Sequence, residues 1–260
     1  MPKFFKIFYI ILASCLLACG IALISISFAK KVFASEIITK EYDITESFDN
    51  IKIDFRTTDI NIQLSSDANC KVVCKDKEKE YSDVKVEDNK LIIDNVDNLE
   101  WYEKFFNFPF QHTSVTIYLP SKQYSKFDID GSTGDINISN INVDEIKASS
   151  STGDVILKDV ECDILDISTT TGDILLENTI ASTKMKIDVT TGDIEFKDSD
   201  SKEIVASSTT GDIKGVLLTG KLFSASTTTG SKSVPSDDST TGGKCSLSTT
   251  TGNINIRIKN

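Results

Sequence analysis

The sequence is poor in the groups from which enzyme sites are built. It holds one histidine, His112, in 260 residues, so no zinc site resting on imidazoles is expected. No CxxC pair occurs, and there is no GxSxG, HExxH, P-loop or dinucleotide fingerprint. Those gaps remove the signatures of serine hydrolases, zinc proteases and nucleotide-binding enzymes. Acids are plentiful, but they recur at turns, and no single pair stands out as glycoside hydrolysis would need. We therefore expect no enzyme, no catalytic residue, no cofactor and no resident metal. A β-solenoid polysaccharide-active enzyme remains a remote alternative.

Positive charge is also short. Four of the 28 Lys and Arg fall in the first 31 residues, which contain no acid; the remaining 24 face 39 Asp and Glu, a net of −15. Such a surface repels nucleic acid and anionic lipid, so nucleic acid is not an expected partner. The six cysteines do not form a disulfide pattern. Cys15 and Cys19 lie in an apolar run. Cys70 and Cys74 would stand about 13 Å apart on an extended strand, too far for a bridge. Cys162 and Cys245 occupy different columns of the repeat described below. Free and mostly buried thiols are expected.

What is present begins with residues 4–29, interrupted by one charge, Lys6. This exceeds the roughly 20 residues that cross a bilayer as a helix. Residues 1–31 thus read as an N-terminal transmembrane anchor, or as a signal segment if cleaved near the poor site Val32-Phe33-Ala34 or at the lipoprotein-like Leu16-Leu17-Ala18-Cys19. An inside amino terminus would place the remainder outside the membrane. Residues 32–47 read as a polar linker and 48–260 as the folded domain.

That domain is organised by a phrase, Ser/Thr-Thr-Gly-Asp, followed by Ile or Val. It occurs at Gly134-Asp135, Gly153-Asp154, Gly172-Asp173, Gly192-Asp193 and Gly211-Asp212, with a worn copy at Gly230 and a last one at Gly252. A period of 19–20 residues marks a repeat architecture. Seven and five residues before each glycine stand Phe127 and Ile129, Ile146 and Ala148, Leu165 and Ile167, and so on. Two and four after it stand Ile136 and Ile138, Val155 and Leu157, Ile174 and Leu176. Each repeat supplies two alternating strands that bury nothing alone and must stack. The prediction is an all-β chain: a β-solenoid, β-helix-like ectodomain preceded by one transmembrane helix. An antiparallel meander with TTGD hairpins is the competing fold. Residues 48–64 read as a divergent first copy with Thr58 in the glycine position.

Two stretches depart from the repeat, one inside the regular repeats of 120–260 and one before them. In GSKSVPSDDSTTGG, 230–243, Lys232 replaces a core isoleucine and Pro235 removes a ladder donor, which predicts a bulged coil. The final strand, with Arg257 and Lys259, then reads as a charged terminal coil protected from aggregation. The other irregular region is 70–119. It contains a predicted hairpin about Asp88-Asn89 and an aromatic segment with Trp101, Tyr102, Phe105, Phe106, Phe108 and Phe110. Those rings either plug the end of the core or form an exposed partner-contact patch.

The repeated aspartates form a column in this reading. A turn role is expected; weak calcium binding is the alternative, requiring six to eight converging oxygens. The anchor, the TTDINI copy, VTIYLPSKQYSKFDIDGSTGDI and the following TGDI repeats resemble the bacterial “putative adhesin” family, over roughly residues 48–260. The resemblance implies a membrane-anchored, cell-envelope β-repeat domain of unknown function, and it supplies no catalytic residues. The expected function is non-enzymatic: an adhesin-like binding or scaffolding module, with an envelope-stress sensor or stalk as the alternative. Its expected partners are the membrane, through the N-terminal helix, and an unidentified protein or glycan.

Overall fold

The computed structural model describes residues 37–66, 68–99, 113–236 and 242–259, which hold eighteen strands and no helix. The expected anchor at 1–31 and the six rings from Trp101 to Phe110 lie outside the described residues.

One long strand shows how a repeat becomes a coil. In β10 (Val155–Thr171) the buried residues are Val155 and Leu157, then Val160 and Cys162, then Leu165, Ile167 and Thr169. On an extended strand every second residue shares a face. The inward set moves from odd to even numbers and back, so the strand bends twice and the coil has three sides. The first bend is at Asp159, with φ 52°, and it recurs at Asn140, Asn178 and Asp198 with φ of 56°, 48° and 52°. Asn and Asp adopt this left-handed conformation most readily among residues with a Cβ. The second bend coincides with a register shift between Cys162 and Ile164. The sequence pattern of two strands per repeat missed this third side and its Asn/Asp corner.

Coils stack in parallel. Leu165 lies beside Ile146 of β9 (Ile136–Thr152) and Met185 of β12 (Ile180–Thr191); Val155 lies between Ile136 and Ile174 of β11 (Ile174–Glu177). The pairings of β8 (Gln123–Thr133) with β9, and of each later coil with its neighbours, are all parallel, which rejects the hairpin meander for this region. The buried column residues form one continuous apolar core.

The coils do not stack in chain order. At one end β2 (Asn50–Thr57) and β3 (Asp59–Leu64) form the divergent first copy. It sits between the coil of β8 and early β9 and a coil made by β6 (Lys90–Asp97) and β7 (Ser114–Leu119). At the other end β17 (Lys244–Thr251) and β18 (Ile254–Ile258) pair on one side with β13 (Ile194–Thr210) and β14 (Ile213–Leu217). On the other side they pair with β15 (Leu222–Thr229) and β16 (Lys232–Ser233). The last repeat in sequence is therefore next to last in space. The worn copy is outermost, and the expectation that the Arg257–Lys259 strand ends the stack is corrected.

Burial explains the exchange. Cys245, Leu247, Ile254 and Ile256 are all buried in the inserted coil. Lys232 occupies the column position of Ile254. Within the stack its charge would be desolvated, at a cost of several kcal/mol if unpaired; at the end it reaches water. The bulged coil predicted for 230–243 is accordingly a short outer strand, β16, followed by a connection whose residues 237–241 lie outside those described.

The opposite end is closed by antiparallel strands. β4 (Cys70–Lys77) pairs with β7, and β1 (Ile37–Ile44) pairs with β4 along its whole length. Residues 37–44, read as part of a linker, are thus a strand. Thr39, Glu41 and Asp43 alternate with apolar and long polar residues, a pattern too mixed to announce itself. β5 (Glu80–Glu87) and β6 form the predicted hairpin, with Asp88 and Asn89 at φ 50° and 61°, the positive-φ pair that a two-residue hairpin turn requires.

Candidate functional site

The repeated phrase lines up along one corner of the stack. Gly172 has φ 143°, and a Cβ placed there would lie 2.0 Å from the carbonyl oxygen of Gly153 in the adjacent coil. The same contact recurs from Gly134 through Gly211 and on to Gly252 and Gly230, following the stacking order. Glycine is needed for both its backbone angle and the close approach of the next coil. Thr58 stands in this column as read from the sequence: its N–H bonds Thr133 O at 2.9 Å, and its hydroxyl meets that of Thr113 at 2.9 Å.

The aspartates form a ladder between coils. Asp59 Oδ1 accepts the backbone N–H of Asp135 at 3.0 Å. Asp135 accepts from Asp154 at 2.9 Å, Asp154 from Asp173 at 2.8 Å, Asp173 from Asp193 at 2.7 Å and Asp193 from Asp212 at 2.8 Å. The ladder then follows space rather than sequence. Asp212 accepts from Asn253 at 2.6 Å, and Asn253 Oδ1 from Ser231 at 3.0 Å. Inward hydroxyls add a second rail: Thr169, Ser208, Thr249 and Thr227 donate to the carbonyls of Gly153, Gly192, Gly211 and Gly252. One oxygen of each laddered carboxylate is thus committed to the neighbouring coil. At Asp193, burial pushes the carboxyl up, but the Asp212 N–H and the Lys214 ammonium at 3.0 Å outweigh it and hold it below its usual range.

Among the described residues the thiols are withdrawn from solvent. Cys70, Cys74, Cys162 and Cys245 are free and buried. Burial raises the Cys70 thiol to about 11 and the other three to about 12, where the nucleophilic thiolate is scarce at neutral pH. One buried ion pair sits where the chain leaves its expected order. Lys221, 1% exposed, meets Asp200 at 2.5 Å and donates to Gly242 O at 2.6 Å, while Thr219 donates to the other Asp200 oxygen at 2.7 Å. This group ties the end of the 199–217 coil to the start of the inserted one, and nothing in the repeat pattern singled it out. Among the described residues no group of three or more His, Cys, Asp or Glu is placed to hold a metal ion.

The family model for the Toastrack DUF4097 domain matches residues 48–260. The chain belongs to that family. Among solved structures, this Toastrack chain is similar to a “putative adhesin” from Bacteroides fragilis at 22% identity, with a TM-score of 0.57, covering 85% of this chain and 97% of that one. A “putative adhesin” from Parabacteroides merdae matches at 15% identity and TM-score 0.47, covering 86% and 97%. A “putative lipid binding protein” from Parabacteroides distasonis matches at 16% and 0.38, covering 86% and 98%. At these identities the likeness shows the fold alone, and only the first is close enough in shape to argue from. No curated protein matches the chain. The Toastrack match stops short of β1, which nonetheless completes the antiparallel end.

Proposed function

We propose that this Toastrack chain is a non-enzymatic binding or scaffolding rod, held at the cell membrane by residues 1–31 and presented outside the cell. The observation that carries this reading is the aspartate ladder. This polar feature, repeated from coil to coil, spends its hydrogen bonds within the stack, so the body of the stack acts as a spacer and its ends are left for recognition. The buried, protonated thiols support the same view, as does the adhesin naming of the Bacteroides fragilis structure. The aromatic segment from Trp101 to Phe110, between β6 and β7 in the sequence, is proposed as one contact region.

The test is protease treatment of intact cells combined with chemical cross-linking and pull-down of the full chain. Cleavage within residues 37–260 by external protease, together with a cross-linked protein or glycan, is expected. A domain protected until the cells are lysed would contradict surface display.

A further inference from the structure

Two lysine–aspartate pairs near the exchanged end lie at the surface: the side chains of Lys214–Asp193 and Lys259–Asp198 are between 37% and 53% exposed. Water keeps such pairs ionised and unreactive toward each other. Lys221–Asp200 is different. Its side chains are 1% and 10% exposed, and Nζ stands 2.5 Å from Oδ1. Lys221 lies immediately before β15 and Asp200 within β13, so the pair joins two segments of that end. Gly242 closes over it: a Cβ there would lie 1.6 Å from Gly220 O and 2.8 Å from Thr219 Oγ1. The Cys245 thiol, which feels the charges of both partners, is raised to about 12 by burial and brings no charge of its own.

The hydrogen bonds around this pair form a directed chain. Lys221 Nζ donates to Thr219 Oγ1 at 3.0 Å, and Thr219 Oγ1 donates to Asp200 Oδ2 at 2.7 Å. A proton can therefore pass from the nitrogen through one hydroxyl to one carboxyl oxygen. The other oxygen, Oδ1, accepts the backbone N–H of Ser201 at 2.7 Å, and Nζ also donates to Gly242 O at 2.6 Å. The carboxyl carbon is one bond beyond Oδ1. Nucleophile and electrophile are thus already held together, which removes much of the entropic cost of joining them. Burying both charges also costs free energy that a neutral link would recover.

We propose that Lys221 and Asp200 condense into an amide, a cross-link between side chains of the same molecule. The ammonium first passes a proton through Thr219 to Oδ2, leaving an amine and a carboxylic acid. Nζ then forms a bond to Cγ, and the charge on Oδ1 is held by the Ser201 N–H. The nitrogen gives up a second proton along the same hydroxyl to Oδ2, the Cγ–Oδ2 bond breaks, and one water leaves. Thr219 is exposed and marks the exit. The product keeps Oδ1 as its carbonyl oxygen on the Ser201 N–H, and its one remaining N–H on Gly242 O. No oxidant, metal or nucleotide is consumed. The link closes the chain from 200 to 221 and fastens the exchanged end of the stack against unwinding. It goes beyond the binding-rod reading and does not rest on it.

The test is tryptic peptide mapping of the full chain, purified in detergent and unfolded before digestion. Without the link, trypsin releases 198–202 and 215–221 as separate peptides. With it, Lys221 resists cleavage, and 198–202 should be recovered joined to 215–232, lighter than the two together by one water. Fragmentation should place the bond between Lys221 and Asp200. Lys221→Arg keeps the charge but offers no amine, and it should abolish the branched peptide. In freshly synthesised chain, Thr219→Val should slow the appearance of the branched peptide at least tenfold while keeping the wild-type circular dichroism, and Thr219→Ser should restore the rate. Recovery of only the two separate peptides from the wild-type chain, even after long incubation, would overturn the proposal. A branch to another acid, Asp237 or Asp238 of the connection before Gly242 included, would overturn the assignment to Asp200. Thr219→Val linking at the wild-type rate would overturn the relay.

Discussion

At the scale of single residues, each member of the repeated phrase has a separate physical task. Gly172 is fixed by two constraints at once, a φ of 143° and a neighbouring carbonyl 2.0 Å from any Cβ. Gly172→Ala should therefore cost on the order of 3 kcal/mol or more in urea unfolding, far above the usual helix or loop glycine. The aspartate needs only an acceptor oxygen, as Asn253 demonstrates in the same ladder. Asp193→Ala should cost about 1 kcal/mol, moderated by partial exposure, and Asp193→Asn clearly less. Protonation gives a related expectation. The folded-state carboxyls of Asp188 and Asp193 both lie below the usual range: burial pushes each up but is outweighed by hydrogen bonds and a lysine. A depressed carboxylate stabilises above its unfolded value near 3.8 and loses that contribution as pH falls through its folded value. Thermal melts should be flat for these two groups from pH 7 to about 5 and decline below about 4, with a shallower decline in the double Asn variant. The thiols make a third test at this scale. Cys70, Cys74, Cys162 and Cys245 should resist iodoacetamide at pH 8 in the native chain and react in urea, as read by peptide mapping; native labelling of Cys162 or Cys245 would contradict the buried core.

At the scale of elements, the sequence was most readable where the repeat was regular. The apolar columns around each glycine predicted which residues face inward, and Asp88-Asn89 announced its hairpin. The third side was hidden because its inward residues, Ile141 and Val143, Val160 and Cys162, Thr179 and Ala181, grow more polar along the stack. Its corner alternates Asn140, Asp159, Asn178 and Asp198, which resembles ordinary loop composition. β1 was hidden because it lies at an edge, where only Tyr42 and Ile44 pack against the core. The direction of the aspartate bonds was legible only in part. Backbone donors near the turn were anticipated; their location one coil away depends on stacking, which no local pattern encodes.

At the scale of the whole molecule, the order of coils was not readable from spacing, because adjacent repeats share the same columns and any two could stack. What decides the order is the quality of each coil. The copy with Leu247, Ile254 and Ile256 is buried best between two neighbours, and the copy with Lys232 and Pro235 is tolerated best at the end. The buried Lys221–Asp200 pair then fixes the crossover. Breaking a buried pair from one side leaves an uncompensated charge, so Asp200→Leu should destabilise by about 3 kcal/mol or more, while replacing both partners with apolar residues should recover much of the loss. The exposed position of Lys232 on the outer coil follows from this exchanged order.

The exchanged order is therefore the claim to test first. Ser207 is in register with Ser248, and Ser248 with Ser226. Adjacent coils stand about 4.8 Å apart, within disulfide reach, whereas coils two apart are too distant. Cysteine pairs at 207 and 248, and separately at 207 and 226, can be introduced into the full chain, oxidised mildly and mapped by mass spectrometry. The account predicts a 207–248 bridge and no 207–226 bridge. A 207–226 bridge formed in the native protein, with 207–248 unlinked, would show that the coils follow chain order and would contradict it.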